Sequence, residues 1–200
     1  MDTLKAIETR RSVRQFDPHA KIDSATERAL IEAARMAPSA YNLQHCSFVV
    51  VRDRAILEKI EKAAGGQKQV CQASLYVVVC ANTQAWKDNL QISAAGLPEP
   101  AKQAKAMLVR AVFENNERAC RDEAVRSGAL AAQTLMLAAT AMGYATNAMT
   151  GFDHHEVAKA INMPPTHVIA MAVAIGKPLV TPAPRGEQTP YEKAVLQDHF

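Results

Sequence analysis

Arg10, Arg11, Ser12, Val13 and Arg14 place three guanidiniums and a hydroxyl within five residues. A guanidinium donates through a planar fork that matches phosphate oxygens, so the block has the composition of an anion site. It equally has the composition of a solvated basic face, and alone it leaves both readings open. Further along, Pro38-Ser39-Ala40-Tyr41-Asn42-Leu43-Gln44 is a second polar group. Pro38 stops a helix, after which Ser39, Asn42 and Gln44 offer donors and acceptors to a planar polar group, another loop or water.

These blocks need elements to position them. A short amphipathic stretch with Leu4 and Ile7 precedes the arginines. The run Ser24–Ala37 predicts a helix in which Ser24 and Glu27 have capping-box spacing. Strands are expected at Ser47–Arg52, Leu75–Ala81, Ala145–Thr150 and Val168–Ile175, which are apolar and bounded by turn residues. The longest helix is expected over Ala119–Met142, with a buried stripe of Gly128, Ala131, Ala132, Leu135, Met136, Ala139 and Met142 and a stop at Gly143. Met136 and Met142 are assigned to packing, not chemistry. Between Asn82 and Ala119 an irregular connection and one helix are expected. Trp86 and Phe113 there, like Tyr41, have ordinary packing roles unless they meet an aromatic ligand. Gly151 reads as a turn capped by Asp153 and completed by Glu156. From Pro182 the chain is proline-rich and aperiodic, an extended arm or a disordered terminus.

Composition narrows the classes. Two hundred residues at 48% hydrophobic content suit one compact domain. The net charge of +3 is spread among acidic residues outside the arginine block, and no aromatic residues interleave with that block, so no nucleic-acid partner is expected. Cys46, Cys71, Cys80 and Cys120 form no C-x-x-C pair and are expected as buried free thiols in a reducing cytoplasm. His154 and His155 point to different faces of a helix and lack a third ligand, so no metal is expected. No leader and no membrane-length apolar run is seen, and no membrane association is expected. Dinucleotide-fold, phosphate-loop and nucleophile-elbow motifs are absent, so no tightly held dinucleotide, phosphate loop or serine nucleophile is expected.

In their order and separation, R-x-S-x-R (Arg10, Ser12, Arg14) and P-S-x-x-N-x-Q (Pro38, Ser39, Asn42, Gln44) resemble the nitroreductase family of FMN-dependent oxidoreductases. The likeness continues through Gly66-Gln67-Lys68-Gln69, Thr150-Gly151-Phe152-Asp153, Gly176-Lys177-Pro178 and Pro184-Arg185, nearly the whole chain. It implies an α+β fold, three layers α/β/α around a mostly antiparallel sheet. Residues 1–200 would be a single FMN-binding domain whose 182–200 segment is an arm reaching around a second subunit of an intertwined homodimer.

The resemblance further implies that Arg10, Ser12 and Arg185 approach the FMN phosphate or ribityl chain, and that Arg14 and Gln69 approach the pyrimidine edge. Pro38, Ser39 and Asn42 would come from the other subunit, and backbone around Thr150 and Gly151 would lie near flavin N5. Arg11, Gln44, Gln67 and Met149 complete the implied cofactor-binding set. No side chain is expected to be catalytic, because the flavin itself accepts hydride. The implied activity alternates NADH or NADPH as donor with nitroaromatic or quinone-like acceptors. Other flavin chemistry on this fold, such as dehalogenation or enone reduction, and a non-catalytic flavin-binding role are the alternatives. Many relatives carry Asn at Gly66, Lys at Gln69 and Lys at Ala183. Fewer cations near the ring predict a lower redox potential.

Overall fold

The apolar runs assemble into one four-stranded antiparallel sheet in the order β1 (Cys46–Val51), β2 (Leu75–Asn82), β4 (His167–Gly176), β3 (Ala145–Met149). The computed structural model describes residues 1–200. In chain order the elements are α1 (Thr3–Thr9), α2 (Ser24–Arg35), a 3-10 turn at Ala40–Asn42, β1 (Cys46–Val51), α3 (Arg54–Ala63), α4 (Gln69–Gln72) and β2 (Leu75–Asn82). There follow α5 (Ala85–Asp88), α6 (Leu90–Ser93), α7 (Glu99–Phe113), α8 (Glu117–Ala141), β3 (Ala145–Met149), α9 (His154–Ala160), β4 (His167–Gly176) and α10 (Tyr191–Ala194).

The central strand β2 is apolar throughout because both of its faces are covered. Leu75, Val77 and Val79 pack with Leu30 and Ala34 of α2 and with Ala131, Leu135 and Ala139 of α8. Tyr76, Val78 and Cys80 pack on the opposite face with Ile60 of α3, Val70 of α4 and Val157 of α9. The result is the expected three layers. A bulge interrupts the β2–β4 ladder, since Val79 opposes Met171 while Cys80 opposes Ile169, leaving Ala170 extra. There α8 comes so close that a Cβ on Gly128 would lie 2.3 Å from the Ala170 Cβ. Glycine at 128 is therefore what lets the long helix lie directly on the sheet.

Several local expectations change. The cap of α2 is Asp23, whose carboxylate accepts from Thr26 N–H at 2.8 Å, and Glu27 instead pairs with Arg52. Asp23 and Ser24 are both good capping residues, and the aspartate starts the helix one residue earlier. On α8 the stripe is buried as expected except Met142, which lies beyond the last helical residue and is exposed. On α1 the buried residue is Ala6, while Leu4 and Ile7 face outward. The region before α8 holds two extra helical turns, α5 and α6, besides the expected helix α7. Cys80 and Cys120 are buried, whereas Cys46 and Cys71 are only partly so, and all four thiols are free. The tail is exposed but includes the helical turn α10.

Candidate functional site

Asp2 caps α1 by accepting from Lys5 N–H at 3.0 Å, and the arginine block follows the end of this helix. The block then runs along the free edge of β3, where Val13 N–H donates to the Thr146 carbonyl at 2.9 Å and Ser12 forms a parallel bridge with Thr146. Val13 points into the core, so Ser12 and Arg14, its neighbours in an extended segment, point out. Arg185 returns from the tail and donates through Nη2 to the carbonyls of Ile7 at 3.1 Å, Arg10 at 3.3 Å and Glu8 at 3.4 Å. Arg11 donates to the Glu8 and Arg10 carbonyls at 2.7 and 2.9 Å. These are carbonyls that a helix end leaves without intrahelical partners.

Three guanidiniums thus gather at one helix end. None of Arg10, Arg11, Arg14 and Arg185 forms an ion pair with a carboxylate. Burial, then the charges of Arg185 and Arg11, hold the Arg10 pKa below its ordinary value. Like charges held together without an acid favour a bound anion, and a phosphate suits this donor set.

A second cluster joins two other motifs. Gln67 Nε2 donates to the Ala64 carbonyl at 3.0 Å and to the Gly151 carbonyl at 3.1 Å. Gln69 is buried and donates to Gln67 Oε1 at 2.8 Å. Gly66 has φ +80° and donates to the Glu61 carbonyl at 2.8 Å, closing the end of α3. Glycine and asparagine are the residues that favour this backbone, which explains how one can replace the other at this position.

The Thr150–Asp153 turn is held from both sides. Asp153 N–H donates to the Ala63 carbonyl at 2.9 Å, while its carboxylate caps α9 by accepting from His155 and Glu156 N–H. Because that N–H is already engaged, Glu156 does not close a capping box. A Cβ on Gly151 would meet nothing within 4 Å. Packing inside the chain therefore does not demand glycine there, and the open space leaves room for a flat group against the backbone. Met149 is buried with its sulfur 3.9 Å from the Tyr76 hydroxyl, so its side chain belongs to the core.

The Pro38–Gln44 loop is built differently. Tyr41, Asn42 and Gln44 all have positive φ, at 52°, 56° and 49°. For Tyr41 and Gln44 this backbone costs about 1–2 kcal/mol each, and less for Asn42, since asparagine adopts it readily. Ser39 Oγ accepts from Gln44 N–H at 2.9 Å, Asn42 N–H donates to the Ser39 carbonyl at 2.9 Å, and Asn89 Nδ2 donates to the carbonyls of Leu43 at 2.9 Å and Gln44 at 3.2 Å. Asn89 lies outside every motif, and nothing in its local sequence marks it. Below the loop, Leu43, Trp86, Val109, Phe113 and Cys120 form a third core cluster. Trp86 and Phe113 are thus packing residues, and the partly exposed Tyr41 stands edge-on to Phe113 at 6.2 Å.

The clusters do not all meet in one chain. The arginine block and the Gly151 turn flank β3, one edge of the sheet, whereas the Pro38–Gln44 loop leads into β1, the other edge. Cys46 is opposite Ala81 and thence Val168, while Thr146 is opposite Ile175. With strands about 4.8 Å apart and residues rising about 3.4 Å, Ser12, one step outside β3, and Cys46 are separated by about 19 Å across the sheet and about 20 Å along it. They occupy opposite corners.

Comparisons with known proteins bear on this arrangement. The profile of the nitroreductase family matches residues 7–177. Protein DrgA of Synechocystis sp. is 38% identical over 177 residues, covering 88% of this chain and 84% of DrgA. A Thermus thermophilus protein named NADH dehydrogenase is 30% identical over 200 residues, covering 98% of this chain and 96% of its own. A solved structure from Exiguobacterium sibiricum in complex with FMN superposes with a TM-score of 0.87 at 25% identity, covering 98% and 96% of the two chains. No helix of the chain is long and apolar enough to cross a membrane.

Proposed function

The chain belongs to the nitroreductase family, and from that premise we propose that two copies hold FMN between them and catalyse NAD(P)H-dependent reduction of nitroaromatic or quinone-like acceptors by alternating half-reactions. The observation that carries this reading is the set of guanidiniums, Arg10, Arg11 and Arg185, gathered at the end of α1 with none of them ion-paired to a carboxylate. Such a set suits the FMN phosphate, with the exposed Ser12 hydroxyl beside it. FMN, when bound, supplies the atom that takes and returns hydride.

The chain's own residues bind and orient. Arg11 and Arg185 stiffen the anion site by donating to the end of α1, and Arg10 offers its guanidinium to the phosphate. Arg14 and the bonded amides of Gln67 and Gln69 serve the pyrimidine edge. Backbone at Thr150 and Gly151 lies against the ring, and Met149 contributes only backbone. Pro38, Ser39, Asn42 and Gln44 come from the other copy. Neutral amides at Gln67 and Gln69 leave fewer cations near the ring, which favours a lower potential.

The opposite corners just described support a shared site, and exposed apolar residues are available to build it. Leu4 and Ile7 face outward on α1, and Leu179, Val180, Tyr191, Val195, Leu196 and Phe200 are exposed on the tail. We assign 1–200 to one domain, with 182–200 as an arm that covers the second copy, acting in the cytoplasm. A site that selects for a flat electron-poor partner over a ring needs few specific polar contacts, so broad acceptor tolerance is expected.

The test is spectroscopic. The purified protein should show oxidised-flavin absorption, or acquire it with added FMN, and should bleach when NADH or NADPH is added without oxygen. Added nitroaromatic or quinone should restore the colour. A protein that takes up no FMN would refute the reading, and bound flavin that neither nicotinamide bleaches would leave only the non-catalytic alternative.

A further inference from the structure

Under the Pro38–Gln44 loop lies a cavity of about 50 Å³, lined among others by Ser39, Gln44, His45 and Ser127. His45 is 4% exposed and Ser127 1% exposed, yet His45 Nδ1 and Ser127 Oγ have no hydrogen-bond partner in the protein. Buried polar groups without partners are destabilising, and native proteins satisfy them with protein atoms or internal water. The two residues that carry these atoms, one at the loop end and one in the middle of α8, line the same cavity.

The volume exceeds what one water requires, and a buried water settles where it finds two to four polar partners. Ser39, which also lines the cavity, offers a third, because its Oγ accepts from Gln44 N–H and keeps its own proton to donate. An apolar occupant would leave all of these groups unsatisfied. An ion has no support either, since Arg35, the charged residue of the lining, is paired with Glu32, burial pushes the His45 pKa down and Ser127 is uncharged.

We propose that this cavity is an internal hydration site in which water bound between His45 Nδ1 and Ser127 Oγ holds Ser39, and that His45 and Ser127 are thereby positioning residues for the cofactor loop. The loop needs such support, because three of its residues occupy left-handed backbone and only a few side-chain bonds retain them. The second half of the proposal rests on the FMN reading given above, whereas the first half does not.

The test combines a high-resolution crystal structure with the Ser127→Ala variant. Ordered water within hydrogen-bonding distance of both His45 Nδ1 and Ser127 Oγ is expected. Ser127→Ala takes away one partner of that water, so Tm should fall and the FMN Kd, titrated well below Tm, should rise about three- to tenfold. In a dry cavity the same substitution removes an unsatisfied hydroxyl, so a raised Tm with unchanged Kd would overturn the proposal. Ordered water with an unchanged Kd would overturn the positioning role. Wild-type protein that binds no FMN would overturn the functional reading instead, and the water density would still decide the hydration site.

Discussion

The two corners of the sheet that supply the proposed site are held in different ways. Along the β3 edge two sets of direct bonds hold the site residues: the arginine block to β3 and the tail to α1 through Val13–Thr146 and Arg185–Ile7, and the loop after α3 to the turn after β3 through Gln67–Gly151 and Asp153–Ala63. At the β1 corner, a loop with three left-handed residues is held by Ser39, by Asn89 and by the packing of Leu43 and Tyr41. The first corner is preorganised by bonds that span the sequence, and its unsettled feature is repelling charge. The second stores backbone strain, and its state depends on what lies beneath it. A cofactor gripped by both would draw affinity from the charge of one and its fit from the other.

The largest expected effect breaks the frame common to both corners. Gly128→Ala would force its Cβ into the Ala170 Cβ, and lifting α8 from the bulge should cost about 1–3 kcal/mol, read as a fall in Tm. Both corners should then lose FMN affinity together.

Next come substitutions that separate the corners. Arg10→Ala should weaken FMN by about 2 kcal/mol, roughly 30-fold in Kd, by removing a charge-assisted contact while leaving Tm nearly unchanged. Asn42→Ala should cost about 1 kcal/mol, since alanine tolerates left-handed backbone less well, and gel filtration should show the dimer intact. Mixing these variants sharpens the comparison. Homodimers of either have two impaired sites, whereas a mixed dimer in which each copy lends one corner regains one intact site. Flavin titration that shows no high-affinity site after mixing would mean that each copy builds its site alone.

The smallest effect is a pH slope. Burial holds the His45 pKa below its ordinary value, with Glu123 opposing weakly, and burial lowers His167 in the same direction. The unfolded chain takes up these protons near pH 6.5 while the folded chain refuses them. Stability is therefore fully present above about pH 6.5 and declines as pH falls through the unfolded value. His45→Asn should flatten this decline in pH-dependent thermal unfolding but leave the share owed to His167.

Much of the fold was legible because its signals are local. The four strands appear within a residue or two of their expected limits, since continuous runs such as Leu75–Ala81 suit strands buried on both faces. Gly143, with φ +80°, ends α8 at the expected point. Local competition explains the small errors: Asp23 outcompetes its neighbour Ser24 for the cap, and Ala63 takes the Asp153 N–H that a capping box would have used. Left-handed Tyr41 was illegible, because tyrosine carries no preference for that backbone. Asn89, which holds the loop from a distant segment, offered no local signal at all.

The sequence by itself determined which segments form strands, which stripe of the long helix is apolar, and that two polar blocks stand in the order of a known family, for these depend on residue types at short spacing. Only the tertiary structure decided that the blocks lie at opposite corners, that Arg11 and Arg185 turn onto the carbonyls of α1, that Gln67 reaches Gly151, and that His45 and Ser127 share a cavity. These depend on strand order and register, where residues far apart in the chain meet through the accumulated geometry of every element between them.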